Sequence, residues 1–232
     1  MKTKIRNNIF FKYLRECKIQ KFKFFFVFFL LCINFNSALA TSFFSASTLL
    51  KNIINKDDPT TYKDLIFIKK EVNKNFDKRY GNEMYVATFF IFEAKYEFGK
   101  DVEIWVNSEF GSHENIAEIA LKYSKMLGKV PSFFREELKW VVIHGPWVDK
   151  SKCTCHWYAF RNEGVYIHTK MVNEEAQQEV LIHELAHVTI DSLYYNSANE
   201  IIWTNAQKQD AKSISRYAES NPLVEDIAES VV

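Results

Sequence analysis

The chain has 232 residues, enough for one domain with a sizeable core, and 47% of them are hydrophobic. Of its 30 basic and 29 acidic residues, 8 and 1 lie in residues 1–40, which leaves 22 against 28 and a net charge near −6 for residues 41–232. That balance argues against nucleic acid and anionic membrane as partners.

Residues 1–23 are basic, with Glu16 the single acid, and the apolar run FFFVFFLLCI (Phe24 to Ile33) follows. NSALA then sets Ala38 and Ala40 in the small positions of a cleavage site. This order is that of a secretory signal, and the apolar run is shorter than the ~20 residues of a membrane-spanning helix. Residues 1–40 are therefore expected to be removed near Ala40, giving a secreted protein with no stable membrane span. Residues 41–232 form one domain, sheet-rich over 41–170 and helical over 171–232. Cys153 and Cys155 are the two cysteines left. One intervening residue makes a disulfide between them strained, so they form a labile bridge or stay as two thiols. No Asn-x-Ser/Thr sequon lies in residues 41–232.

In chain order, Met84 to Phe98 and Val102 to Val106 are aromatic and β-branched stretches separated by Gly99-Lys100, the pattern of a hairpin. Ile116, Ile119, Ala120, Tyr123 and Leu127 recur at helical spacing, with Gly128 and Pro131 expected to end that helix. Trp140 to His144 and Val165 to His168 read as short strands. Beyond residue 170 the pattern turns helical. Asn173 is a suitable cap, Glu174 and Glu175 suit the positive end of the dipole, and the helix is expected to reach about Tyr194.

That helix contains EVLIHELAHVTID. At 3.6 residues per turn, His183 and His187 lie one above the other, so both rings can reach a single Zn2+ at ~2.0–2.1 Å. Glu184 sits about a hundred degrees round the helix, beside the metal, where it can take a proton from water that the metal makes acidic. Chemistry thus accounts for all three residues and for the gap between the histidines. A catalytic zinc needs a third protein ligand and an open position. No His or Cys follows His187, which leaves Asp191, Glu200, Asp210, Glu219, Glu225, Asp226 and Glu229. Asp191 lies too far along the same axis to join both histidines; it is expected to support a ligand from behind or to be structural. In SRYAESNPLVEDIAES, Asn221 and Pro222 open a further helix on which Glu225 and Glu229 share a face. One of the two can bind zinc while the other orients a ligand histidine through its second ring nitrogen. Tyr217, just ahead, is a candidate donor to the oxyanion of a tetrahedral intermediate.

HELAH followed by the E-x-x-A-E of Glu225 to Glu229 resembles the gluzincin group of zinc metallopeptidases, in which a Glu on a second helix completes the site. YAESNPLVEDIAE is similar to the tyrosine-then-glutamate segment of the lethal-factor-type peptidases, with one extra residue between Tyr217 and Glu225. EIWVNSEFG, LGKVPSFFREELKWVVIHG, VYIHT and ISRYAESNPLVEDIAES resemble a little-described family of proteins from bacteria and animals taken to be secreted metallopeptidases. The likeness covers most of residues 58 to 231.

The resemblance implies an α+β, zincin-like fold in which a mixed-sheet part precedes the active-site helix and a second ligand-bearing helix. It implies Zn2+ held by His183, His187 and Glu225, with Glu184 as base, Tyr217 as a catalytic donor and Glu229 bracing one of the histidines. A peptide or protein is then the expected substrate, extended along an edge strand for which Val165 to Thr169 is the candidate. A catalytically inactive binding protein on the same scaffold, or a zinc hydrolase of non-peptide amides, are the competing readings. Trp157, Phe160, Tyr166 and Trp203 could line a cleft, although in a chain with 16% aromatic residues most such side chains are core. His144, His156 and His168 could approach the site, though none of them is expected as a ligand.

Overall fold

YKDLIFIKKEVNKNF, rich in lysine and not recognised as a strand from its sequence, forms the 15-residue strand β1 (Tyr62–Phe76). Its lysines suit a sheet edge, where charged side chains discourage pairing with another chain. A computed structural model describes residues 57–80, 84–146, 157–169, 176–194, 199–210 and 212–231, with Ile54. These lie within one compact unit, Ser42–Val232. The expected signal segment, Cys153, Cys155, His156 and the cap Asn173 with Glu174 and Glu175 lie outside the described residues. None of the described helices is long and apolar enough to cross a membrane.

The hairpin expected around Gly99 is present as β2 (Met84–Tyr96) and β3 (Val102–Asn107), paired antiparallel from Phe89 opposite Asn107 to Ala94 opposite Val102. Gly99 has φ 79°, the left-handed region in which a side chain is strained, and a Cβ there would lie 2.8 Å from Ser132 Cβ. Helix α1 (His113–Lys129) follows, capped by the Ser112 hydroxyl, which accepts from Asn115 N. Gly128 does not end this helix as expected. It lies inside it, where β1 passes so close that a Cβ would overlap Thr60 and Tyr62. Its carbonyl accepts from Thr61 N at 2.8 Å, tying helix to strand.

Strand β4 (Trp140–His144) follows. Strands β5 (Trp157–Phe160) and β6 (Gly164–His168) form a second hairpin turned at Asn162, φ 55°. The six strands make one mixed sheet in the order β1-β2-β3-β4-β6-β5. Pairing is antiparallel between β1, β2 and β3, parallel from β3 through β4 to β6, and antiparallel between β6 and β5. The protein is thus α+β. β6 has neighbours on both sides, so the expectation that Val165 to Thr169 forms an edge is wrong. WYAF, not assigned to a strand from its sequence, is the edge strand instead.

Alternation with period two sends side chains to opposite faces of the sheet. Val102, Ile104, Val106, Val141, Ile143, Val165, Ile167 and Trp157 pack under the helices, with Leu181, Ile182, Leu185, Ala186 and Val188 of α2 (Gln177–Thr189). Phe89, Ile91, Val142, Tyr158 and Tyr166 form a smaller cluster on the other face, joined by Phe76 from the end of β1. Helix α2 stops at Thr189, earlier than expected. The chain then tightens through Ile190 into the short helix α3 (Asp191–Tyr194). Helices α4 (Glu200–Asp210), α5 (Arg216–Ser220) and α6 (Glu225–Val231) complete the fold.

Candidate metal centre

The apolar stripe of α2 faces the sheet, and its histidines emerge at the margin of that stripe. Asn162 N donates to Val188 O at 3.1 Å, so the turn of the β5–β6 hairpin holds the end of α2 against the sheet edge. Helix α6 lies against α2 with Ile227 and Ala228 buried. That docking brings Glu225, the first residue of α6, opposite the histidine pair. Glu225 N donates to Asn221 O at 2.9 Å. The Asn221 side chain donates to Tyr217 O and so closes α5, rather than capping α6 as expected.

His183 Nε2 and His187 Nε2 are 3.2 Å apart, and Glu225 Oε2 lies 3.3 Å from each. A metal bound at ~2.0–2.1 Å to three near-tetrahedral ligands holds them about 3.3 Å apart. The triangle has that size. Glu225 Oε2 is also buried without a hydrogen-bond partner, as expected of an atom that a metal would satisfy. His183, His187 and Glu225 can therefore hold a metal ion. Their side chains remain 12–17% exposed, which leaves the fourth direction open.

The remaining ring nitrogens face carboxylates. His187 Nδ1 lies 2.9 Å from Asp191 Oδ2, and His183 Nδ1 lies 3.6 Å from Glu229 Oε1, both acids being almost fully buried. Contacts of this kind would direct Nε2 toward a bound metal, and of the two the Asp191 contact is at hydrogen-bond distance. Asp191 Oδ2 also accepts from Arg161 Nε at 3.3 Å. The Tyr217 hydroxyl donates to Glu225 Oε1 at 3.0 Å, with the ring 47% exposed at the rim of the group.

Charge follows from this packing. Burial pushes the Glu184 carboxyl upward, partly offset by the two histidines. Burial alone would lower His187, but Asp191 and then Glu225 overrule it and push it up to about 10. Burial would raise Glu225, yet the two imidazoles hold it well below the usual carboxylate range.

Of the other acids considered, Asp226 accepts from Gln207 Nε2 at 2.8 Å, and Glu200, Asp210 and Glu219 are not in the group. Trp157 and Tyr166 are buried in the two cores, Phe160 is exposed beside Phe76, and Trp203 packs on Tyr194. His144 and His168 are also absent from the group. Paired across β4 and β6, they stack on the opposite face of the sheet beside Asp77.

Asp77, Lys78, Arg79 and Arg161 were missed from the sequence. NFDKRY is given no role by the sequence, and only the meeting of β1 with β5 and β6 gives those charges one. Asp77 accepts from His168 Nε2 at 3.1 Å and from Arg79 Nη2 at 2.7 Å, and Arg79 also grips Glu109 at 2.8 Å through both terminal nitrogens. No family model, curated protein or solved structure matches the chain.

Proposed function

We propose that the protein is a secreted zinc peptidase of zincin-like fold. The observation that carries the reading is the triangle of His183 Nε2, His187 Nε2 and Glu225 Oε2, with edges of 3.2, 3.3 and 3.3 Å. Two histidines, one carboxylate and an open position are the ligand composition of a catalytic zinc. When bound, Zn2+ supplies Lewis acidity, lowering the pKa of water and polarising a carbonyl.

The chain's own residues do the rest. Glu184, its carboxyl raised by burial, takes a proton from the attacking water and returns it to the leaving amine. Asp191 and Glu229 keep the two rings aimed. Tyr217 holds Glu225 Oε1 and, on turning, offers its O–H to the oxyanion. The substrate lies extended along the free side of β5, the strand that packs on α2 and so passes beside the group.

The test is cleavage of a mixed peptide library by zinc-loaded protein, compared with Glu184→Gln. The amide cannot accept the proton, so this variant should keep metal and fold and lose turnover by several orders of magnitude. Cleavage at near wild-type rate by the variant would refute the mechanism.

A further inference from the structure

On the outer side of β5 the aromatic rings form a stack that ends in a cation. Tyr166 of β6 and Tyr158 of β5 are parallel, with centroids 4.9 Å apart and planes 9° apart. One face of Tyr158 is therefore occupied by Tyr166. The Lys78 ammonium lies over the Tyr158 ring, 4.4 Å from its centroid, and takes the remaining face. The sequence Tyr166, Tyr158, Lys78 runs from β6 across β5 and so delivers the positive charge past the open edge of the sheet.

The backbone that carries Lys78 is anchored on both sides. Asp77, fully buried, is held by His168, and Arg79 clamps Asp77 to Glu109. The Tyr158 hydroxyl donates to Phe76 O at 3.2 Å, which fixes the strand end to the ring on which the lysine rests. A half-buried lysine so held has lost much of its rotamer freedom before any ligand arrives. Among the described residues its ammonium makes no ion pair. β5, which carries the ring under the ammonium, packs on α2, so the lysine and the His183–His187–Glu225 group border the same edge strand. A held cation beyond the edge strand, with an aromatic face behind it and no ion pair among the described residues, suits an incoming anion.

We propose that Lys78 determines specificity by binding a carboxylate of a peptide laid along β5, so that the preferred substrates are acidic near the scissile bond. This rests on the zinc-peptidase reading. The carboxylate comes either from an aspartate or glutamate side chain or from the C-terminus of a short peptide, and both present the same group to the ammonium.

The experiment measures binding rather than turnover. Zinc-loaded protein is titrated calorimetrically with three peptide hydroxamates of equal length: one neutral and amidated, one with a free C-terminal carboxylate, one amidated with an aspartate side chain. At least one acidic hydroxamate should bind about tenfold tighter than the neutral one, and which of them does so identifies the source. Raising the salt concentration should narrow that difference. Lys78→Met should abolish it without changing affinity for the neutral hydroxamate or for zinc, and Lys78→Arg should retain it. Should Lys78→Met fail to fold, Lys78→Gln takes its place in the comparison. Equal binding of all three by the wild type, or an acidic preference that survives loss of the ammonium, overturns this proposal alone. Failure to bind any of the three overturns the peptidase reading and this proposal with it.

Discussion

Asp191 Oδ2 lies 2.9 Å from His187 Nδ1, across the break where α2 gives way to α3. The break lets a residue one turn beyond the histidine fold its short side chain back onto the ring. A buried carboxylate in that position fixes the tautomer with Nε2 free for a metal, and Arg161 holds the carboxylate in turn. Asp191→Asn should therefore weaken zinc about 10–100-fold without unfolding the protein. Zinc titration against a competing chelator, with circular dichroism as the control for fold, checks this.

Direct ligands should weigh more than the acids behind them. His183→Ala and His187→Ala should each release the metal. Glu225→Ala should weaken zinc more than Glu229→Ala or Asp191→Ala, because only Glu225 reaches both Nε2 atoms. Dissociation constants for the set, measured side by side, give the ranking. A mildest effect at Glu225 would remove it as the third ligand.

Tyr217→Phe separates two roles of one hydroxyl. If Tyr217 serves the oxyanion, kcat should fall by about 10²–10³ while zinc affinity stays close to wild type. If it serves only to hold Glu225 Oε1, zinc affinity falls and kcat at saturating zinc does not. Kinetics at two zinc concentrations decide between them.

Metal-free protein should be most stable near pH 6.5, for two opposed reasons. Burial pushes His144 down from 6.5 to about 4, so its contribution is complete above pH 6.5 and is lost as pH falls towards 4. His187 is pushed up from 6.5 to about 10, so its contribution is complete below pH 6.5 and is lost as pH rises towards 10. Urea midpoints across this range should trace a dome. His144→Leu should flatten its acid side and His187→Leu its alkaline side.

Secretion should depend on residues 24–40 and leave a mature N-terminus near Thr41. N-terminal sequencing of protein from the medium tests this, and an intact membrane-bound product would show an anchor instead.

Much of the site was legible because helix geometry is local. Once EVLIHELAHVTID is helical, the placement of His183 and His187 on one face follows from 3.6 residues per turn, whatever the rest of the chain does. The hairpin at Gly99 and strand β4 were legible for the same reason, since alternation and turn chemistry act between neighbours. Glu225 was only half legible. Seven acids follow the second histidine, and spacing together with the resemblance singled out one helix. The 3.3 Å approach to both rings, however, arises from the docking of Ile227 and Ala228 on α2.

What tertiary structure decided by itself lies where strands meet. β1 is dense in lysine because it is an edge, which hides it from a search for apolar runs. WYAF is a strand because it pairs with β6, and that pairing moves the open edge, and the path proposed for a substrate, from Val165–Thr169 to Trp157–Phe160. Gly128 looks like a helix stop in sequence but is a contact point for β1. Asp77, Lys78 and Arg79 carry no local pattern, and the end of β1 must first cross to Tyr158 before the lysine acquires a neighbour. Local geometry supplied two candidate metal ligands and a candidate base from little more than one turn of one helix. The third candidate ligand, the carboxylates behind the rings and the cation beyond the edge strand come from other segments, and only burial of the common core brings them together.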